Sequence, residues 1–449
     1  MSHNFKEIEG SVVAPKGFKA SGVFCDIKRL GTGKGSEKGQ KPDLAIIASE
    51  KPCVAAGMFT TNQVCAAPVK LCIERMKKGV AQAIVANSGN ANACTGEQGF
   101  RDACEMAAET ARLLSLKPEH VLVASTGRIG VLMPMENVKN GIRMAVERLS
   151  DTVASADEAA TAIMTSDTRP KKIAVEVNIG NSVIKIGGIC KGAGMIHPGM
   201  SPDGKRPASM PGQLHATMLC FITTDAAIER DSLRKALEEA VAGSFNKITV
   251  DGDMSTNDTV IVLANGMAGN MPLNHRSRSK EMREQFAIFQ EALNHVCLSL
   301  AKMIVLDGEG VSRFVTIYVE GAKNDFQADA AARAVANSVL VKTSWCGGDP
   351  NWGRIMDALG YSNATVIEEK VDIGYSNPSN PQITWAVKNG SPQPVPFEEL
   401  CKVVAEKEFN IHINLNIGKG RSYFYSADLT EEYVDFNKGN ISDPKSLGG

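Results

Sequence analysis

No stretch of this chain reaches the roughly 18 consecutive apolar residues needed for a membrane-crossing helix, so no membrane partner is expected. Neither charge predominates: 49 lysines and arginines stand against 50 aspartates and glutamates, and the net charge of -1 gives no sign of nucleic acid. The short basic stretch NHRSRSK at 274–280 runs into a helical pattern and reads as its solvated start. Eleven cysteines contain no Cys-x-x-Cys pair, and an odd count without zinc-type spacing predicts free thiols in a reducing, cytoplasmic setting. The opening MSHNFKEIEG carries acids and no apolar core, so it is read as neither a secretory nor a transit peptide. GTGKGSEKGQ at 31–40 is rich in glycine, but neither a dinucleotide fingerprint nor a Walker spacing fits it, and it reads as a polar loop. DGDMSTND at 251–258 lacks the sixth-position glycine and closing glutamate of a calcium loop. The seven histidines form no metal pair, and His197 and His215 read as loop residues. No metal and no bound cofactor are expected.

The 449 residues, 43% of them hydrophobic, are enough for two or three domains with large cores. Strand-like runs (AQAIVANSG, EHVLVAST, DTVIVLANG) alternate with amphipathic segments. In GFRDACEMAAETARLLSL, Phe100, Ala103, Met106, Ala107, Leu113 and Leu114 fall on one helical face, with Thr110 the polar exception. KKIAVEVNIGNSVIKIGG predicts a hairpin turning at Gly180-Asn181. SKEMREQFAIFQEALNHVCLSLAKMIV predicts one long helix, RFVTIYVEGA a half-exposed strand, and QADAAARAVANSVLV a further helix. Hairpins mixed with helices point to a layered α/β or α+β architecture. The segment 199–213, GMSPDGKRPASMPGQ, reads as an exposed loop, with three prolines, three glycines and few large apolar side chains.

That loop runs into HATMLCFITTDA, where Thr217 heads an apolar run. Taken alone, it is an ordinary strand threonine. It becomes a nucleophile if the chain is cut before it, because the freed α-amine can then take the hydroxyl proton. Other strand ends carry polar groups of interest. ASTGRIG offers the Thr126 hydroxyl and the Gly127 N–H, two donors of the kind that stabilise an oxyanion. CKGAGMIHPG sets Lys191 among glycines that permit close approach of a ligand, and LDGEG sets Glu309 in a glycine-bracketed turn.

Together, FTTNQVCAAPV, NSGNANACTGEQG, STGRIG, MTSDTRPK, KGAGMI, ATMLCFITTDA, ITVDGDMSTNDT, DGEGVSRFVT, VKTSW and DPNWGRI resemble one family, from Ala14 almost to the end of the chain. That family is the ornithine acetyltransferases, or glutamate N-acetyltransferases, of arginine biosynthesis. The resemblance implies a layered α-β-β-α sandwich core of the aminopeptidase-like type with additional α/β structure. It implies self-cleavage between Ala216 and Thr217, giving an α chain 1–216 and a β chain 217–449 intertwined in the core. Thr217 would then be the N-terminal nucleophile, with Thr126 and Gly127 as its oxyanion hole. Thr165, Lys191, Glu309, Asn437 and Ser442 match the family's substrate contacts. The implied substrates are N-acetylornithine and glutamate, with acetyl-CoA as donor in some relatives, and the implied assembly is an α2β2 heterotetramer.

This chain departs from the family in three places. Fifteen residues, 201–215, stand where relatives run almost directly into the cleavage site; DPKSLGG extends the C-terminus; and Arg128 and Ser166 replace an apolar residue and a threonine. Two other readings remain open on sequence: an N-terminal-nucleophile amidohydrolase or aminopeptidase, and an unprocessed ligand-binding homologue.

Overall fold

The computed structural model describes residues 5–28, 41–206 and 218–438. A ten-stranded sheet holds β1 (Lys6–Glu7), β2 (Phe18–Val23), β3 (Leu44–Thr60), β4 (Val80–Asn90), β5 (Val121–Arg128), β6 (Lys171–Ile179), β7 (Ser182–Lys191), β8 (Met200–Ser201), β9 (Leu219–Thr224) and β10 (Thr259–Ala264). Its order is β1-β6-β7-β9-β10-β3-β4-β5, with β2 and β8 also paired to β3. The β4–β5 and β9–β10 pairs are parallel, and the predicted Gly180-Asn181 turn joins the antiparallel β6 and β7.

The 17-residue strand β3 divides this sheet into two layers. Its pairing with β4 shifts register between Ala48 and Cys53, and only the part beyond that shift, Val54 to Phe59, pairs with β10. Side-chain alternation shows the consequence. Along the whole of β3, Ala45, Ile47, Ala55 and Phe59 face one central core. The opposite face changes core: Leu44 and Ile46 join one outer cluster, Ala56 and Met58 another. The central core also takes Ile84 and Leu122 from one half of the sheet and Phe221 and Leu263 from the other. It therefore lies between two sheet layers. One outer cluster brings in α2 (Gly96–Leu114) and α3 (Met135–Glu147); the other brings in α5 (Arg230–Ala242) and α6 (Lys280–Leu306). The order is helix, sheet, sheet, helix, as expected. Helices α1 (Ala67–Met76) and α4 (Val153–Ala162) contribute to the central core.

The long helix α6 starts where expected: the Ser279 side chain accepts the Met282 N–H, a cap worth about 1 kcal/mol. Phe289, Leu293, Val296, Leu300 and Ile304 follow at helical spacing and are fully buried, each worth about 1.5–3 kcal/mol on transfer from water. In α2, Ala103, Met106 and Ala107 are buried as predicted, and Thr110 satisfies its hydroxyl on the Met106 carbonyl, but Phe100 is exposed at the helix start.

A second sheet supplies the additional α/β structure, with its own core. It contains β11 (Phe314–Ala322), β12 (Asp372–Asn377), β13 (Asn380–Lys388), β14 (Ser391–Pro392), β15 (Glu408–Asn414) and β16 (Gly420–Ala427), in the order β14-β13-β12-β15-β11-β16. Helices α7 (Asp325–Asn337), α8 (Val339–Cys346), α9 (Trp352–Gly360) and α10 (Phe397–Val404) pack against it, and α11 (Glu431–Phe436) follows it. The predicted single helix over 327–341 is two, because Ser338 leaves helical geometry and caps α8 through the Val341 N–H. In the expected 199–213 loop, Gly199, Met200 and Ser201 are instead buried, since β8 pairs with Phe59 and Thr60 of β3. His197 lies in a loop, as read from the sequence, and is buried there beside Arg333 Nη1 at 2.7 Å and edge-on to Phe424.

Candidate active site

Strand ends place the polar groups. β4 and β5 lie parallel and end together, with Ser88 opposite Thr126 and Gly89 opposite Gly127. Gly127 has φ +130°, and a Cβ there would lie 2.3 Å from the Gly89 carbonyl carbon. Only glycine allows this crossing, which brings the buried Thr126 and the Gly127 backbone to the edge of the sheet. Ser125, one residue earlier, donates to Asn87 Oδ1 at 2.6 Å, and Asn87 Nδ2 donates to the Asn90 carbonyl at 2.9 Å. The asparagine-rich segment thus ties down the strand that carries Thr126.

β9 and β10 also start together, with Leu219 opposite Thr259. Just before them, Met218 donates its N–H to Asp258 Oδ1 at 2.6 Å. Asp258 is fully buried. Burial raises its carboxyl well above the usual range, opposed by the Met218 hydrogen bond and the charge of Lys191. Its neighbour Asn257 donates from Nδ2 to the Ala91 and Ser125 carbonyls at 2.6 and 2.8 Å. The dipeptide Asn257-Asp258 therefore contacts both the strand of Thr126 and the residue after Thr217. Ala216, Thr217 and His215 themselves lie outside the described residues, as do the 31–40 segment and Ser442.

Lys191 ends β7 and is 2% exposed. Burial lowers its pKa, opposed chiefly by Asp167, whose Oδ2 is 3.9 Å from its Nζ, too far for a hydrogen bond. Asp167 also accepts the Thr165 N–H at 3.0 Å, the Gly192 N–H at 2.7 Å and Lys171 Nζ at 2.5 Å. Burial alone would raise the Asp167 pKa, but Lys191 and Lys171 outweigh it and hold it at about 2. Lys171 Nζ also bonds Asp307 at 2.5 Å, two residues before Glu309. Thr165, Lys191 and the turn of Glu309 are thus joined through one buried chain, Asp167–Lys171–Asp307. Thr165 itself is exposed.

Gly308 and Gly310 bracket Glu309, whose N–H bonds the Ala193 carbonyl at 2.9 Å. Its carboxylate packs on Gly194: a Cβ there would lie 2.6 Å from either oxygen. Thr430 caps α11 and donates to the Gly310 carbonyl at 2.7 Å, and Asn437 Nδ2 reaches Glu309 Oε2 at 3.1 Å. Asn437 and Glu309, 128 residues apart, are therefore in contact.

The sequence reading missed Asp258, Asn257, Asp167, Lys171 and Asp307. All five lie inside quoted motifs, but the motifs alone do not say which side chains turn inward. Among the described residues, no group of three or more His, Cys, Asp or Glu side chains is placed to hold a metal ion. All eleven cysteines are unpaired, and no described helix is long and apolar enough to cross a membrane.

A strand-end threonine and a left-handed glycine, with a buried lysine and a separate carboxylate, make a site suited to acyl transfer between charged small molecules. The model of the ArgJ family matches residues 20–440. The arginine biosynthesis bifunctional protein ArgJ of Symbiobacterium thermophilum is 45% identical over 432 residues, covering 96% of this chain and 98% of that one. The glutamate N-acetyltransferase of Methanocaldococcus jannaschii is 45% identical over 435 residues, with coverage of 96% and 98%. Among solved structures, the ornithine acetyltransferase of Mycobacterium tuberculosis complexed with ornithine is 38% identical. The alignment covers 44% of this chain and all of that one, with a TM-score of 0.40. The chain belongs to the ArgJ family, and so to the acyltransferases.

Proposed function

We propose that this protein is a glutamate N-acetyltransferase of arginine biosynthesis, moving an acetyl group from N2-acetylornithine to glutamate through an acetyl-threonine on Thr217. The observation that carries this reading is the hydrogen bond from Met218 to Asp258, beside the Asn257 contact to Ser125. It sets the residue following Thr217 and the residue preceding Thr126 on one dipeptide. In this reading the chain cuts itself between Ala216 and Thr217. Thr217 Oγ then attacks the acetyl carbonyl while its own α-amine takes the proton. The Thr126 hydroxyl and Gly127 N–H receive the oxyanion. Lys191 pairs with the substrate's α-carboxylate, and Glu309, steadied by Asn437, with the side-chain ammonium of ornithine; Thr165 and Ser442 complete the substrate site. Ornithine leaves, glutamate takes its place, and its amine receives the acetyl group.

The sheet pairing supports two chains that stay interlocked after the cut. β9 and β10 would belong to the β chain, yet β9 pairs with β7 and β10 with β3, both of the α chain. On the family resemblance the assembly is α2β2, and acetyl-CoA serves as a second acetyl donor.

The test is a denaturing intact-mass measurement followed by an ornithine-to-glutamate acetyl-transfer assay. Two fragments, one beginning at Thr217, and transfer abolished by Thr217→Ala are expected. A single species at the full 47.9 kDa would overturn the nucleophile reading. Free acetate without acetylglutamate would point to a hydrolase.

A further inference from the structure

Around Glu309 a ring of contacts begins and ends on a residue that the mechanism above does not use, Tyr433 of α11. The Tyr433 hydroxyl donates to Asp251 Oδ2 at 3.3 Å. The same carboxyl accepts the Met195 N–H at 2.5 Å and the Ile196 N–H at 2.8 Å. Met195 is held with φ +57°, in the left-handed region that a methionine rarely adopts. It follows Gly194, on which the Glu309 carboxylate packs, and Ala193, whose carbonyl accepts the Glu309 N–H. From Glu309 Oε2 the ring returns through Asn437 Nδ2, which also donates to the Tyr433 carbonyl at 2.9 Å. None of the residues of α11 is buried, so polar contacts and close backbone approach hold it in place. A Cβ on Gly310, which has φ +67°, would lie 2.4 Å from the Tyr433 nitrogen. An element without a buried apolar anchor belongs to the less stable part of a structure, where one hydrogen bond counts.

We propose that Tyr433 is a positioning residue for the ammonium subsite, holding Glu309 from two sides: through Asp251 and the Met195 turn on one, and through Asn437 on the other. It thereby sets the preference for a diamino substrate in the donor half of the reaction. This rests on the reading of Glu309 as the partner of ornithine's side-chain ammonium. Burial raises the pKa of the phenol, and the charges of Asp251, Glu309 and Asp253 raise it further, so the hydroxyl keeps its proton and remains a donor. Without that hydroxyl, α11 loses its bond to Asp251, and the two supports of Glu309 are no longer tied to each other. A carboxylate that the ligand itself has to order binds that ligand more weakly. Glutamate carries no second ammonium, so its binding does not draw on the ring.

Tyr433→Phe tests this in the full chain, because it removes one hydroxyl from a helix that buries no residue. In the acetyl-transfer assay, kcat/KM for N2-acetylornithine should fall about fivefold, the value of one hydrogen bond. The maximal rate and kcat/KM for glutamate should stay near wild type, a split that a general loosening of the structure would not produce. Calorimetric titration with ornithine should show its Kd raised by a similar factor. Asn437→Ala weakens the other support of the same carboxylate, so the loss in the double variant should be smaller than the product of the two single losses. Wild-type kcat/KM for acetylornithine in Tyr433→Phe, a loss shared equally by glutamate, or strictly multiplicative losses would each overturn the proposal and leave the acetyltransferase reading standing. A wild-type protein that moves no acetyl group from acetylornithine overturns both.

Discussion

Lys191 Nζ and Asp167 Oδ2 stand 3.9 Å apart, with side chains only 2% and 0% exposed. The separation leaves the lysine's hydrogen-bonding capacity available to a ligand while keeping its charge balanced. Asp167 instead bonds Lys171, Gly192 and Thr165, so the carboxylate fixes the framework around Lys191.

That arrangement makes Asp167 a stability determinant with a defined pH dependence. Its carboxyl is held at about 2 against an ordinary value of 3.8, so the folded state favours the ionised form. The contribution, about 2 kcal/mol, is therefore full above pH 4 and lost as the pH falls toward 2. Urea unfolding between pH 7 and pH 2 should show this loss in the wild type and not in Asp167→Asn. Asp167→Ala should cost about 3–5 kcal/mol at neutral pH, since it leaves buried lysines uncompensated.

Lys191→Met should fold, because a buried cation is exchanged for an apolar side chain of similar length. It should raise KM for both amino-acid substrates by at least about tenfold, the value of one charge-assisted pair. The lysine's pKa is lowered below the ordinary 10.5 by burial, so its charge is lost earlier on the alkaline side. The expected kcat/KM profile falls at a pH below 10.5 in the wild type, and this limb should be absent from Lys191→Met.

Gly194 offers a sharper probe of the Glu309 subsite. Its backbone does not need glycine's special angles, but an added methyl would meet the Glu309 carboxylate at 2.6 Å. Gly194→Ala should therefore displace Glu309 and raise KM for acetylornithine by about tenfold. KM for glutamate, which lacks the second ammonium, should change little, and a calorimetric melt should be near that of the wild type. Equal losses for both substrates would remove Glu309 from ammonium recognition.

The oxyanion assignment predicts a different signature. Thr126→Ala should lower kcat by about 10²–10³ with KM nearly unchanged, since the lost hydrogen bond forms fully only in the transition state. Gly127→Ala should do at least as much damage, because its Cβ would sit 2.3 Å from the Gly89 backbone and force β4 and β5 apart. A Thr126→Ala effect confined to KM would contradict the assignment.

Sequence by itself determined the local pieces of this protein. Alternating and helical apolar patterns mark the β6–β7 hairpin and α6, because side-chain period and turn chemistry are properties of neighbouring residues. The ordered motifs, with Thr126, Gly127, Lys191 and Glu309 among them, identify the family. Where local signals competed, they misled: Ser338 reads as helix interior until its side chain caps α8, and Met200 reads as loop until β3 provides its partner.

Only the tertiary structure decided which polar residues form the site. Asp258 meets Met218 across 40 positions, Asn257 meets Ser125 across 132, and Lys171 meets Asp307 across 136. In sequence these are ordinary aspartates, asparagines and lysines, most often solvated. Burial turns them into groups that must find partners, and the partners come from strand ends or, for Asp307, from the end of α6. β3 gathers the strand ends: its register shift lets one strand serve both layers, bringing the β4–β5 and β9–β10 ends onto one dipeptide.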